Sequence, residues 1–280
     1  MKLRKDMQPS RTSLLLDSVL FVHSWQRFLT TNARIRIKNV KVSVFITCLV
    51  DQLCPNVGVS MVTVLRRVGC EVVFDERQTC CGQPAFNTGY RKEAQKFAKR
   101  FIEIFEESDA EAIVSPSGSC VAMVKHFHEL FPTDEKWRER AEKIAAKTHE
   151  FGGFLVNVMK IDDVGASGSG RITWHDACHG LRDLNIRDEP RRLLKNVRGV
   201  EFVEMSNADV CCGFGGTFSI KFPEISAGIL DNKIESIEKA DVCAVVSGDA
   251  SCLMQIGGRL SRLDSKVKTM HLAEILASQE

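Results

Sequence analysis

Eleven cysteines are the residues of this 280-residue chain with the clearest potential for chemistry, because thiolates bind metals and undergo redox reactions. Eight of them form two sets of four with nearly the same spacing. The first set is Cys48, Cys80, Cys81 and Cys120, and the second set is Cys178, Cys211, Cys212 and Cys252. Equivalent members lie 130 to 132 residues apart, and a glycine follows each adjacent pair. The pattern predicts an internal duplication with four thiols in each copy.

A disulfide framework is a poor explanation for these cysteines. Their number is odd, and the chain is far longer than the small secreted domains that depend on disulfides. We therefore expect a cytoplasmic protein whose patterned cysteines bind a metal or carry out redox chemistry. A vicinal disulfide between Cys80 and Cys81 is an alternative for that pair. The unpatterned cysteines Cys54, Cys70 and Cys243 are expected to be small buried apolar residues.

The composition is that of an ordinary globular protein. Hydrophobic residues make up 44% and charged residues 26%, and the net charge of +2 gives no indication of nucleic-acid binding. No stretch reaches the roughly 20 apolar residues of a membrane span. Residues 1–40 differ from the rest, with eight Lys and Arg against two acidic residues. We expect a basic, poorly ordered extension there, and a mitochondrial transit peptide is the alternative.

From residue 41 onward, short apolar runs alternate with helical patterns, which predicts an α/β fold. In the first copy, strands are expected at 42–46, 71–74 and 112–114, with helices at 59–68 and 91–107. The second copy repeats this order, with strands at 171–174, 200–203 and 243–246 and helices at 189–197 and 226–239. The glycine- and serine-rich segment 165–170 is expected to be a flexible linker between domains 41–164 and 171–280.

Each patterned cysteine lies just after a predicted strand or at a turn from a strand to a helix. The carboxyl ends of parallel strands meet at one edge of the sheet, so four thiols distant in sequence are expected to converge there. Four ionised thiols repel one another, and a bound cation removes that conflict. Gly82 and Gly213 are expected to supply a positive φ or a close backbone approach where each adjacent pair turns.

Two kinds of metal centre fit four thiols. Structural zinc sites usually contain closely spaced pairs such as Cys-x₂-Cys, which this chain lacks. Iron–sulfur clusters also take four cysteines, and a multi-iron cluster is wide enough for thiolates spread along a turn. The spacing favours iron and leaves zinc as the alternative.

These motifs resemble the paired cysteine-rich, or CCG, domains that occur in heterodisulfide reductase and in the iron–sulfur subunit of glycolate oxidase. More narrowly, the chain resembles the lactate utilization protein A family in four segments. They are FITCLVDQ at 45–52, PSGSC at 116–120, WHDACH at 174–179 and VCCGFGGTF at 210–218. The similarity spans about residues 41–278.

The resemblance implies two tandem pseudo-symmetric parallel-sheet domains, with helices on both faces of each sheet. It also implies an iron–sulfur electron-transfer component that acts in the cytoplasmic oxidation of L-lactate to pyruvate. Such a protein is an oxidoreductase subunit that works with two other lactate utilization proteins, an iron–sulfur protein and a small subunit, and with an electron acceptor. The eight patterned cysteines then hold two [4Fe-4S] clusters. The sequence singles out no catalytic residue.

The chain departs from the fuller CCG motif, which ends in Cys-x-x-Cys. Here Ser117 and Asp249 occupy the first position of that ending, so four cysteines per copy remain for a cluster. Two other functions stay open: a thiol–disulfide reductase similar to heterodisulfide reductase, and a zinc-loaded assembly module. His175 and His179, on either side of Cys178, either tune a cluster or shuttle a proton, or are structural residues at a strand end.

Overall fold

Two four-stranded parallel sheets form the framework of residues 39–279, which are the residues that the computed structural model describes. The basic extension expected at residues 1–40 lies almost entirely outside the described residues. No helix within the described range is long and apolar enough to cross a membrane.

The first repeat contains a sheet with the strand order β2-β1-β3-β4, and all its neighbouring strands are parallel. Its elements in chain order are β1 (Lys41–Val44), α1 (Cys48–Leu53), α2 (Pro55–Arg67), β2 (Glu71–Val73), α3 (Gln83–Asn87), α4 (Arg91–Glu106), β3 (Ala112–Ser115), α5 (Gly118–Lys125), a 3₁₀ turn (Phe127–Leu130), α6 (Glu135–Lys147), β4 (Thr148–Glu150) and α7 (Phe151–Gly153), which continues as a π-helical turn (Phe154–Val158).

The second repeat has the corresponding strand order β6-β5-β7-β8, again with all neighbouring strands parallel. Its elements are β5 (Ser167–Trp174), α8 (Cys178–Arg182), α9 (Asp188–Lys195), β6 (Arg198–Phe202), α10 (Thr217–Lys221), α11 (Pro223–Lys239), β7 (Ala244–Ser247), α12 (Ala250–Arg262), β8 (Lys268–His271) and α13 (Leu272–Ala277). The α/β prediction with parallel sheets is confirmed.

The strand register shows the duplication directly. In the first sheet Val42 pairs with Ala112, and in the second Ile172 pairs with Ala244, at the same offsets of 130 and 132 residues that relate the cysteines. The pairing of Lys41 with Glu71 is likewise repeated by the pairing of Arg171 with Glu201. The duplicated spacing of the sequence therefore corresponds to duplicated positions in the two sheets.

The prediction of a flexible linker at 165–170 is wrong for its last four residues. Residues 167–170 belong to β5, where Ser167 pairs with Arg198 and Gly170 pairs with Val200 around a register shift. Gly170 has φ 94°, and a Cβ there would lie 2.6 Å from the Cys243 sulfur. Gly170 therefore permits close packing within the sheet. The glycine-rich composition of the segment does not distinguish this role from flexibility.

One hydrophobic core extends through both repeats. Val42 and Val44 of β1 share it with Ile172 and Trp174 of β5, and the C-terminal helix α13 also contributes to it. The opposite faces of the sheets pack into two separate cores, one around Phe45 and α4 and one around Val245 and α11. Helices thus cover both faces of each sheet, as expected.

A charged side chain joins two helices of this shared core, α2 and α13. Arg67, at the end of α2, donates hydrogen bonds to the Leu276 and Ala277 carbonyl oxygens at 2.8 and 2.7 Å. A cation at a helix C-terminus satisfies carbonyl groups that have no partner within the helix. The bond ties the end of the second repeat to the first.

Candidate metal centres

The fold brings the cysteines of each set to the carboxyl edge of their own sheet. Cys48 opens α1 directly after β1, and Cys120 lies in the first turn of α5 directly after β3. Cys80 and Cys81 occupy the loop between β2 and α3. In the second repeat, Cys178 opens α8, and Cys252 lies in the first turn of α12. Crossover helices separate these residues in sequence, while the sheet edge brings them together.

The four thiols of the first set are direct neighbours. The sulfur atoms of Cys48 and Cys80 lie 3.6 Å apart. Cys81 is within hydrogen-bonding reach of both Cys80 and Cys120, and the charge of Cys120 also acts on Cys48. All four are free thiols, so the vicinal disulfide between Cys80 and Cys81 is not formed.

The second set repeats this arrangement. Cys178 and Cys212 both hydrogen-bond to Cys211, and Cys212 also hydrogen-bonds to Cys252. These four are free thiols as well. Cys212 and Cys252 are buried, whereas in the first set only Cys81 is buried. The second group is therefore the more enclosed of the two.

Each set concentrates negative charge on one sulfur. Hydrogen bonds from Cys48 and then Cys81 lower the pKa of Cys80 to about 3, and bonds from Cys178 and then Cys212 lower that of Cys211 to about 2. The donors respond in the opposite direction: the same hydrogen bonds, together with burial, raise the pKa of Cys48 and Cys178. In each group, one sulfur is thus more readily ionised than the thiols that donate to it.

Gly82 and Gly213 form the turns that aim the adjacent cysteines inward. Their φ angles are +84° and +83°, and their amides donate to the sulfurs of Cys80 and Cys211 at 3.4 and 3.3 Å. A Cβ at Gly82 would lie 2.9 Å from Phe97 Cβ. A Cβ at Gly213 would lie 2.5 Å from a backbone oxygen. Both expected reasons for glycine, the positive φ and the close approach, are confirmed.

Ser117 and Asp249 stand where the fuller motif has a fifth cysteine, and these two residues join the repeats. The two residues form an antiparallel bridge with each other. Asp249 accepts hydrogen bonds from Ser117 Oγ at 3.2 Å and from the Ser119 amide at 2.9 Å. It also accepts from the amide and hydroxyl of Ser251. Equivalent positions of the two copies thus meet across a pseudo-twofold contact.

The segments that carry the two sets of cysteines are in contact. The Gln83 side chain, two residues after Cys81, lies 3.4 Å from the His179 ring, which follows Cys178. Nearby, a Cβ at Gly118 would lie 3.1 Å from the Gly180 Cα, so the first turns of α5 and α8 touch. The segments next to the two groups of thiols are therefore in direct contact.

The three cysteines outside the two sets were expected to be buried, and this holds only in part. Cys70 is buried, and burial raises the pKa of its thiol to about 11. Cys54 is half-buried. The expectation is wrong for Cys243, which is exposed just before β7, where its thiol donates to the Arg171 carbonyl at 3.1 Å. A cysteine before a buried strand need not share the strand's burial.

Glu150 is a buried acid that the sequence reasoning missed. It ends β4, is 5% exposed, and accepts a 2.8 Å hydrogen bond from the Gly153 amide. Burial raises the pKa of its carboxyl to about 7. It lines a small cavity of about 20 Å³ between the repeats, together with Asp176 and Trp174. No signal in the sequence indicated it, because β4 is short and contains only Thr148, His149 and Glu150.

The donor set of each group fits an iron–sulfur cluster or another thiolate-bound metal. Four converging sulfur atoms match the four cysteines that such clusters take, and binding of a cation would stabilise all four as thiolates. The chemistry of the donors also suits zinc. Cys48, Cys80, Cys81 and Cys120 would hold one centre, and Cys178, Cys211, Cys212 and Cys252 the other.

Comparison with known proteins agrees with the duplicated site. The CCG cysteine-rich domain matches the chain twice, at residues 42–125 and 172–257. Lactate utilization protein A of Bacillus subtilis strain 168 is 49% identical over 240 residues, which cover 86% of this chain and 100% of that protein. The chain belongs to the lactate utilization protein A family.

Further relatives give the same result. The lactate utilization protein A of Geobacillus thermodenitrificans is 48% identical over 237 residues, covering 85% of this chain and 98% of its own length. That of an Exiguobacterium species is 49% identical over 235 residues, covering 84% and 96%. The family resemblance inferred from the four short segments is confirmed along most of the chain.

Proposed function

We propose that this protein is an iron–sulfur electron carrier in the oxidation of L-lactate to pyruvate, with one [4Fe-4S] cluster in each repeat. The observation that carries the proposal is the convergence of four free thiols at the same sheet edge in both repeats. Membership of this family supports lactate as the substrate, because the relatives are named for lactate utilization.

The protein environment suits one-electron transfer. An iron–sulfur cluster, when bound, takes up and releases single electrons. Cys48, Cys80 and Cys120 are half-buried, which leaves the first group accessible from the surface. The contact between Gln83 and His179 links the segments next to both groups. This arrangement supports passage of electrons from one repeat to the other and out to a partner.

Lactate oxidation requires more than a one-electron carrier supplies. Conversion of lactate to pyruvate removes two electrons and two protons. The reaction therefore needs an acceptor for both electrons and an acceptor for the protons. We therefore propose that the protein acts in the cytoplasm as an oxidoreductase subunit. Its partners would be the two other lactate utilization proteins, an iron–sulfur protein and a small subunit, and an electron acceptor.

Cysteine substitutions test the proposal. Cys81→Ser should remove the cluster of the first repeat and Cys212→Ser that of the second, and each should abolish growth on L-lactate when it replaces the native chain. Cys243→Ser is the matched control, because this exposed cysteine lies outside both sets. Iron content and growth are measured for each variant.

The alternatives give different results in the same series. Normal growth with both Cys81 and Cys212 replaced would exclude the electron-transfer role. Stoichiometric zinc in colourless, anaerobically purified protein would indicate an assembly module. Release of thiol from a mixed disulfide substrate, without lactate oxidation by the reconstituted set, would indicate a thiol–disulfide reductase.

A further inference from the structure

The two repeats differ at the residue three positions before their first cysteine. Phe45 stands there in the first repeat and His175 in the second. Both residues follow the central strand and donate the same backbone hydrogen bond, from Phe45 to Val114 at 2.9 Å and from His175 to Val246 at 2.8 Å. The positions are therefore structurally equivalent, and their side chains can be compared directly.

The surroundings of Phe45 explain an aromatic residue at this position. Its ring is fully buried and packs edge-on against Phe101 and Phe105, with ring centroids 4.8 and 5.9 Å away. This packing needs no polar atom. The first repeat thus places a purely apolar side chain beside its cysteine group.

His175 is buried as completely as Phe45, but it carries two polar ring nitrogens. Neither nitrogen has a hydrogen-bond partner among the residues that the structure describes. A buried polar group without a partner destabilises a protein, so such groups are rare unless a ligand or another group satisfies them. The histidine therefore points to a partner that belongs to the site.

The sulfur atoms of Cys212 and Cys252 are candidates for this partner. A ring nitrogen of His175 and these two sulfur atoms all lie within 4.8 Å of one another, and all three residues are buried. An imidazole ring carries at least one N–H in either protonation state, so His175 has a hydrogen to donate to one of these sulfurs.

The Lys and Asp side chains whose charge acts on His175 already have partners, as described above for Asp249. Lys233 donates to the carbonyl oxygens of Asn207 and Ala208. Asp176 accepts hydrogen bonds from the Trp174 indole at 2.7 Å and from the Arg191 guanidinium at 2.8 and 2.9 Å. The cysteine sulfurs are thus acceptors within range of the imidazole N–H.

We propose that His175 donates a hydrogen bond to a sulfur of the second centre, and that this bond gives the second centre a higher reduction potential than the first. The inference rests on the proposed iron–sulfur function and deepens it. A hydrogen bond to sulfur stabilises the more negative, reduced form of a cluster, so it raises the potential. The first repeat has no such donor, because Phe45 replaces it. Electrons therefore collect at the second, more enclosed centre.

Pulsed EPR on the full-length reduced protein labelled with ¹⁵N-histidine tests the contact. The Cys81→Ser background isolates the second centre. In this background we expect a ¹⁵N coupling that disappears in His175→Gln, which keeps a side-chain N–H but removes the imidazole. A coupling that persists in His175→Gln, or none in the parent protein, would overturn the contact.

Redox titration of the same proteins tests the consequence. His175→Phe should lower the potential of the second centre, His175→Gln should keep it closer to the parent value, and Phe45→His in a Cys212→Ser background should raise the potential of the first. An iron-loaded His175→Phe protein with an unchanged potential would overturn the inference. If the His175→Phe variant binds no iron, the ¹⁵N coupling of the parent protein and its loss in His175→Gln test the inference instead. A parent protein that binds no iron would instead contradict the proposed function.

Discussion

At the scale of single residues, the side chains of each cysteine group suit the binding of a metal. One sulfur in each group, Cys80 or Cys211, accepts two hydrogen bonds and is readily ionised. The turn glycine adds a third bond from its amide. The sequence predicted the cysteines and glycines of this arrangement, because their types and spacing repeat. It could not predict Asp249 as the link between the copies, because that role depends on a contact between residues far apart in the chain.

Glu150 gives a prediction at the same scale. Its unfolded carboxyl titrates near the ordinary value of 4.5, whereas burial raises the folded pKa to about 7. Between these values the folded chain retains a proton that the unfolded chain has released, so the free energy of unfolding falls as pH rises. Above about 7 the penalty is constant. Glu150→Gln removes the titration, and its stability relative to the native protein should increase by about 2–3 kcal/mol from about pH 5 to about pH 8.

Chemical denaturation at several pH values measures this difference. Glu142→Gln, at an exposed position of α6, controls for the loss of a carboxylate as such. Parallel pH profiles for the native protein and Glu150→Gln would show that the buried carboxyl does not titrate in this range.

At the scale of elements, periodicity predicted the long helices and the central strands well. The helix α4 was expected at 91–107 and spans Arg91–Glu106, and the strand expected at 112–114 is Ala112–Ser115. The fourth strand of each sheet, β4 and β8, was missed. These strands contain Thr148–Glu150 and Lys268–His271, and their threonine, histidine and charged residues lack an apolar run. Pairing with β3 and β7 determines their structure.

The contact between α5 and α8 supplies the prediction at this scale. A Cβ at Gly118 would lie 3.1 Å from the Gly180 Cα, which is backbone and cannot rotate away. Gly118→Ala should therefore force the repeats apart at this crossing and lower the free energy of unfolding by about 1–3 kcal/mol. Thermal or chemical denaturation measures the change.

Gly258→Ala is the matched control for that substitution. Gly258 lies within α12, and a Cβ there would meet nothing within 4 Å. Alanine favours a helix interior over glycine, so this variant should be more stable by about 0.5–1 kcal/mol. Equal stability changes in the two variants would mean that the Gly118–Gly180 approach is not a tight contact.

At the scale of the whole molecule, the duplicated sequence folds as two similar sheets around a continuous core. The duplication could be read from spacing because both copies keep the same order of strands and cysteines. The shared core could not be predicted from spacing, because apolar residues in the sequence do not reveal which face of each sheet packs against the other repeat. The boundaries at 41–164 and 171–280 stay a prediction, and packing joins the repeats through α2, α13 and the Ser117–Asp249 bridge.

The duplication also leads to the central claim, that each repeat holds one iron–sulfur cluster. The most direct test is to measure iron and acid-labile sulfide per chain in anaerobically purified protein, with EPR spectra before and after reduction. We expect about eight iron and eight sulfide atoms per chain, with reducible signals. Zinc, or no metal after attempted reconstitution, would contradict the claim and leave the eight cysteines as a structural scaffold.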